Sequence, residues 1–194
     1  SHHSISQYFN ELDTELDGAL ILSNYRKINF QGRYCFQTTY LNDSYNEYFS
    51  HDSDHYIIWL IRNPISVINS MVHNWRYFAL NELYISCAND HSLSSYSNNF
   101  RHSIGKKSRL MKACTSYVVK NKQIFKIISE LKNNMVLVLD YDELIEFKHN
   151  ILPRLFKYLK LTYHPSYCSY IHKPNYNKKL KLNSMEVELV NNIC

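Results

Sequence analysis

An α/β fold with a mainly parallel central sheet is predicted from strands that alternate with helices. Three observations carry the prediction. "YIIWLI" (56–61) and "MVLVL" (135–139) are strand-length runs with no polar alternation, which suits interior parallel strands. Each run leads directly into a helix-start signal, Asn63-Pro64 after the first and Asp140 with Glu143 after the second. A long stretch of helical apolar spacing, 109–132, lies between them.

Taken in order, residues 4–16 suit a helix, with Gly18 as its stop before the short apolar "ALIL". Gly32 precedes "RYCF", a strand candidate, and "LNDSYNEYF" suits a helix. After "YIIWLI", Asn63 is the N-cap and Pro64 takes the first helical position, where its missing N–H costs nothing. That helix is expected to run to about Tyr84. Residues 86–107 are polar and Ser/Asn-rich, which predicts a long loop of the kind that often carries function. The 109–132 helix is expected to use Leu110, Ala113, Cys114, Tyr117, Val118, Phe125 and Ile128 as its apolar positions. Asp140 and Glu143 predict a capping box into the helix that begins "YDELI". Another helix is predicted around 151–160, followed by a Tyr-rich loop, "HKPNY" and an amphipathic "SMEVELVNNIC". No internal repeat is visible.

The chain of 194 residues is long enough to bury a sizeable core and is expected to be one domain, 1–194. A formal charge of +5 fits a protein that handles an anion, but no segment concentrates its basic residues as a nucleic-acid reader would. Only three glycines occur, Gly18, Gly32 and Gly105, too far apart to make a Gly-rich phosphate loop. Five cysteines (35, 87, 114, 168 and 194), odd in number and without a C-x-x-C, suggest free thiols in a reducing, cytoplasmic compartment. No run of about 18 apolar residues is present, so no membrane span is expected. His51 and His55 have the spacing of metal ligands, but "HDSDH" has the character of a polar loop and no metal is expected.

In open parallel sheets, ligands bind beyond the carboxyl ends of the strands. "YIIWLI" ends in Arg62 and "MVLVL" in Asp140-Tyr141. Arg62 is thereby placed beside the start of a helix, whose free N–H groups and partial positive charge add to an anion site. Ser70, two turns on, can contribute a hydroxyl. The plainer alternative is that Arg62 pairs with a nearby carboxylate and Ser70 is an ordinary helix serine.

"YIIWLIRNPISVINS" resembles the 3′-phosphate-binding segment of sulfotransferases that use 3′-phosphoadenosine-5′-phosphosulfate (PAPS). That segment is a hydrophobic strand, then Arg-Asp/Asn-Pro, then a serine eight residues after the arginine, a spacing that Arg62 and Ser70 reproduce. The resemblance implies a three-layer P-loop-type fold, with the central parallel sheet flanked by helices. It assigns Arg62 and Ser70 to the 3′-phosphate. "VLVLDYDELIEFKHNILPRLFKYLKL" is similar to a later family stretch whose tyrosine lines the adenine pocket, which carries over to Tyr141. "HKPNY" resembles the Lys-Pro segment of the tyrosylprotein branch and makes Lys173 a phosphate contact. "SHHSISQYFNE" looks like the segment after the family's phosphosulfate loop, with Glu11 nearest to the general base and about a residue out of register.

Two departures accompany the resemblance. The phosphosulfate loop would lie immediately before Ser1, so the domain is expected to be cut at its N-terminus, and the closing segment suggests a cut at the C-terminus as well. "CFQTTYL" matches the family's catalytic strand end, but Gln37 holds the place of its lysine, and Thr39 the place of another branch's histidine. Gln37 can donate a hydrogen bond to a sulfuryl oxygen but offers no full charge. The implied reaction is in-line transfer of a sulfuryl group from PAPS to the hydroxyl of a small-molecule, carbohydrate or peptide acceptor, without a metal. The alternatives are a sulfotransferase-like nucleotide-binding module impaired in turnover and a P-loop kinase-like phosphotransferase.

Overall fold

The computed structural model describes residues 56–88, 105–130, 135–172 and 180–194. Among these residues the fold is mixed, a small parallel sheet of two strands flanked by helices. Strand β1 (Ile57–Ile61) lies parallel to β2 (Val136–Asp140), in a register that sets Ile57 against Val136 and Ile61 against Asp140. Both strands therefore end at the same level. The two other strand candidates, "ALIL" and "RYCF", lie outside the described residues.

Asn63 opens α1 (Pro64–His73) as predicted, its side chain accepting from the amides of Ile65 and Ser66. The single helix expected from there to Tyr84 is two helices. It stops at His73, and α2 (Tyr77–Ala88) begins after a three-residue break and runs into the segment predicted as loop. No Pro or Gly marks the break. The amides of Asn74 and Trp75 both turn onto the Ser70 carbonyl. The Arg109 guanidinium, on the next helix, takes the carbonyls of Met71 and Trp75. A helix end needs partners for its last carbonyls, and here one arginine supplies them from more than 30 residues away.

Helix α3 (Lys106–Glu130) is the long helix predicted at 109–132, and it connects two apolar clusters. Its first half packs Leu110, Ala113, Cys114 and Val119 against Ile68, Met71 and Val72 of α1 and Leu80, Leu83 and Cys87 of α2. Its second half presents Ile124 and Ile127 to Ile57, Trp59 and Val136 of the sheet. That corrects the predicted stripe, because Phe125 is 71% exposed and Ile128 is exposed as well. Ile124 and Ile127 continue the i, i+3, i+4 series from Leu110 and Ala113, while Phe125 and Ile128 fall about 100° off it. Lys112 is also buried, its ammonium bonded to the Asn81 carbonyl oxygen at 2.9 Å and lying over the rings of Tyr77 and Tyr84. Such a buried lysine keeps its charge through an acceptor and two π faces.

Asp140 caps α4 (Tyr141–Glu146), accepting from the amides of Asp142 and Glu143. Helix α5 (Lys148–Tyr158) follows, with Pro153 inside it. A 3₁₀ turn (Pro165–Tyr170) occupies part of the predicted Tyr-rich loop. The "SMEVELVNNIC" segment forms α6 (Ser184–Ile193), and here the reciprocal capping box is complete, between Asn183 and Glu186. Among the described residues no helix is long and apolar enough to cross a membrane.

Candidate anion site at the strand ends

Parallel strands with matched ends leave Arg62 and Tyr141 as the next residues of neighbouring chains. Their side chains meet, with the Arg62 guanidinium carbon 4.9 Å from the Tyr141 ring centroid. A cation over a tyrosine face gains about 0.5–1 kcal/mol where water still reaches it. Arg62 also faces Asp142, Nε to Oδ1 at 3.9 Å, with each side chain about one-third exposed. At that distance and exposure the ion pair adds about 0–1 kcal/mol. Arg62 Nε is itself buried and has no hydrogen-bond partner. The guanidinium thus lies at the strand ends with an N–H still to be satisfied, the kind of group whose lost solvation costs about 1–3 kcal/mol.

The backbone beneath Arg62 is fixed from α3. Tyr117 Oη donates to the Arg62 carbonyl at 2.8 Å. Burial, then the nearby Cys194 and Asp140, push the Tyr117 phenol above its usual range, so it stays protonated and remains a donor. The Asn63 amide, next in the chain, points at Asp142 Oδ2, a long contact at 3.5 Å. Two elements distant in sequence therefore hold the turn that presents Arg62.

The expectation of free amides at the start of α1 is corrected. The Ile65 and Ser66 N–H groups are occupied by the Asn63 side chain, Pro64 has none, and Val67 N–H already bonds the Asn63 carbonyl. What α1 offers an anion is its dipole field, with amide bonds only if Asn63 swings away. Ser70 lies two turns along α1, about 10 Å down the axis from Asn63, and its Oγ accepts from Asn74 Nδ2 at 3.4 Å. Arg62 and Tyr141 are thus brought together, while the Ser70 hydroxyl bonds within its own helix.

Glu11, Gln37 and Lys173 lie outside the described residues, as do His51 and His55. Among the described residues no three His, Cys, Asp or Glu side chains converge as a metal set. Sequence reasoning missed Asp142 and Tyr117. Asp142 could have been found from the strand register, which brings the first turn of α4 opposite Arg62. Tyr117 could not, since nothing local marks a tyrosine in mid-helix as a partner for a backbone carbonyl 55 residues away.

Comparison with protein-family models, curated proteins and solved structures finds no match.

Proposed function

We propose that the chain is a PAPS-dependent sulfotransferase domain of the three-layer P-loop type, with Arg62 as the 3′-phosphate contact and Tyr141 on the adenine side. The observation that carries this reading is the contact between those two side chains. They come from separate motifs, each assigned by resemblance to the same nucleotide, and they stand side by side. Few unrelated sequences would produce both motifs and also bring their key residues together.

The local chemistry fits a phosphate. Arg62 offers a fork of donors with an unsatisfied Nε, and a phosphate oxygen would be the missing acceptor. Asp142 works against it, because its carboxylate already faces the guanidinium and would repel the incoming charge. The reading therefore requires Asp142 to turn toward solvent or toward the Asn63 amide, which it already approaches.

Catalysis of sulfuryl transfer needs alignment and charge neutralisation, much as phosphoryl transfer does. In this proposal Glu11 accepts the acceptor hydroxyl's proton, and Gln37 donates a hydrogen bond to the sulfuryl group. Arg62, Ser70 and Lys173 neutralise and hold the phosphates of the departing nucleotide. A second reading, nucleotide binding without turnover, is favoured by Gln37 standing where the family has a lysine.

Calorimetric titration with 3′,5′-adenosine diphosphate beside ATP tests the nucleotide assignment. The diphosphate is expected to bind tighter, and Arg62→Ala to weaken it about 10- to 100-fold through the loss of charge-assisted bonds. Preference for ATP, or an unchanged affinity in Arg62→Ala, would overturn the reading. Transfer of labelled sulfate to hydroxyl acceptors then separates enzyme from binding module, and it is best measured on a chain that extends upstream of Ser1.

A further inference from the structure

The described residues include four cysteines, and two of them are in contact. Cys114 is fully buried in the cluster that joins α1, α2 and α3. Cys194 caps the end of α6 and is exposed. The fully buried Val190, whose carbonyl accepts the Cys194 amide at 2.9 Å, and Ile193 pack into the same cluster as Cys114. This packing brings the two thiols into a hydrogen bond. The other two have different neighbours. Cys87 Sγ points at the Ser116 carbonyl, and Cys168 lies 3.2 Å from Tyr163 Oη.

We propose that Cys114 and Cys194 are a redox pair, which closes to a disulfide that fastens α6 to α3. Hydrogen-bonded sulfurs need only a short further approach to reach the bond length of about 2.05 Å. The exposed partner meets the oxidant and the buried one completes the bond. The hydrogen bond that Cys114 donates supports this order: it lowers the Cys194 thiol below its ordinary range, and the same bond together with burial raises Cys114.

The oxidant is a small-molecule disulfide. The Cys194 thiolate attacks one of its sulfurs, forming a mixed disulfide and releasing the first thiolate. Cys114 then gives up its proton, and its sulfur attacks Cys194 Sγ, expelling the second thiolate. The two cysteines together lose two electrons and two protons, and the oxidant becomes two thiols. The new bond would close a loop of about 80 residues, large enough for a substantial loss of unfolded-state entropy.

Oxidised glutathione added to the native full chain, followed by alkylation, digestion and mass spectrometry, tests the proposal. The expected product is a Cys114–Cys194 peptide pair lighter by two hydrogens and released by dithiothreitol. The melting temperature of the oxidised protein is expected to rise by about 10 °C. Cys194→Ser should abolish both effects while melting as the reduced parent does. A glutathione adduct that persists on Cys194 without an internal link would overturn the proposal. So would a link that joins Cys194 to Cys87, or a native protein in which neither thiol reacts.

Discussion

Arg62 is held by its backbone and left partly unsatisfied in its side chain, and two substitutions separate these features. Removing the Tyr117 hydroxyl takes away the donor to the Arg62 carbonyl, so Tyr117→Phe should cost about 1 kcal/mol of stability in urea unfolding. Asp142→Asn removes the carboxylate that faces the guanidinium at 3.9 Å but keeps the side chain's shape. If an anion binds here, Asp142→Asn should tighten 3′,5′-adenosine diphosphate several-fold, by calorimetry at low salt, while changing stability by less than about 1 kcal/mol. Weaker binding would mean that Asp142 orients Arg62 for the ligand instead of competing with it. The two residues that carry the anion hypothesis, Arg62 and Tyr141, were both legible before any coordinates. The register that unites them was not, since a parallel pairing leaves no mark on either strand alone.

At the scale of elements, caps were the most readable feature, because Asn63, Asp140 and Asn183 act within three residues of themselves. Long-range partners were the least readable. The break between α1 and α2 depends on Arg109, and the burial of Ile124 and Ile127 in place of Phe125 depends on where the sheet lies. The C-terminus of α5 shows local rules met with an unusual residue. Leu161 N–H reaches the Phe156 carbonyl and Lys160 N–H the Lys157 carbonyl, a Schellman ending. Its left-handed position, normally glycine, holds Lys160 at φ 53°. Lys160→Gly should therefore stabilise the protein by about 1 kcal/mol in urea unfolding.

The contact of α1 with α6 carries a pH dependence of known sign. His73 is held below its ordinary value of 6.5, first by burial and then by Lys181, Lys106 and Arg109, with Glu186 pulling the other way. A base whose pKa is depressed on folding binds its proton more readily when unfolded, so stability falls as pH drops below about 6.5. Glu186 is lowered from 4.5, chiefly by its bond to Lys106 at 2.7 Å and the Asn183 amide. Its stabilisation is present above 4.5 and is lost as pH falls below that value. Melting temperature against pH should show both declines, and His73→Gln should flatten only the upper one.

For the molecule as a whole, the question is whether the helix cluster and the sheet cluster unfold as one. Helix α3, 25 residues and about 37 Å long, supplies core residues to both. A continuous helix cannot lose one end's packing without exposing apolar surface along its length, which couples the clusters. The two tryptophans make this measurable, since Trp59 packs on the sheet cluster and Trp75 on the helix cluster. Trp75→Phe leaves a reporter of the sheet, and Trp59→Phe leaves a reporter of the helices. In each variant, urea unfolding followed by fluorescence should coincide with the far-ultraviolet dichroism of the helices, the mark of a single transition. Ile127→Ala, which removes about 2–5 kcal/mol of packing beneath the sheet, should move the Trp75 signal as far as the Trp59 signal. If only the Trp59 signal moves, α3 bridges two units that unfold separately, and the strand-end site rests on the smaller one alone.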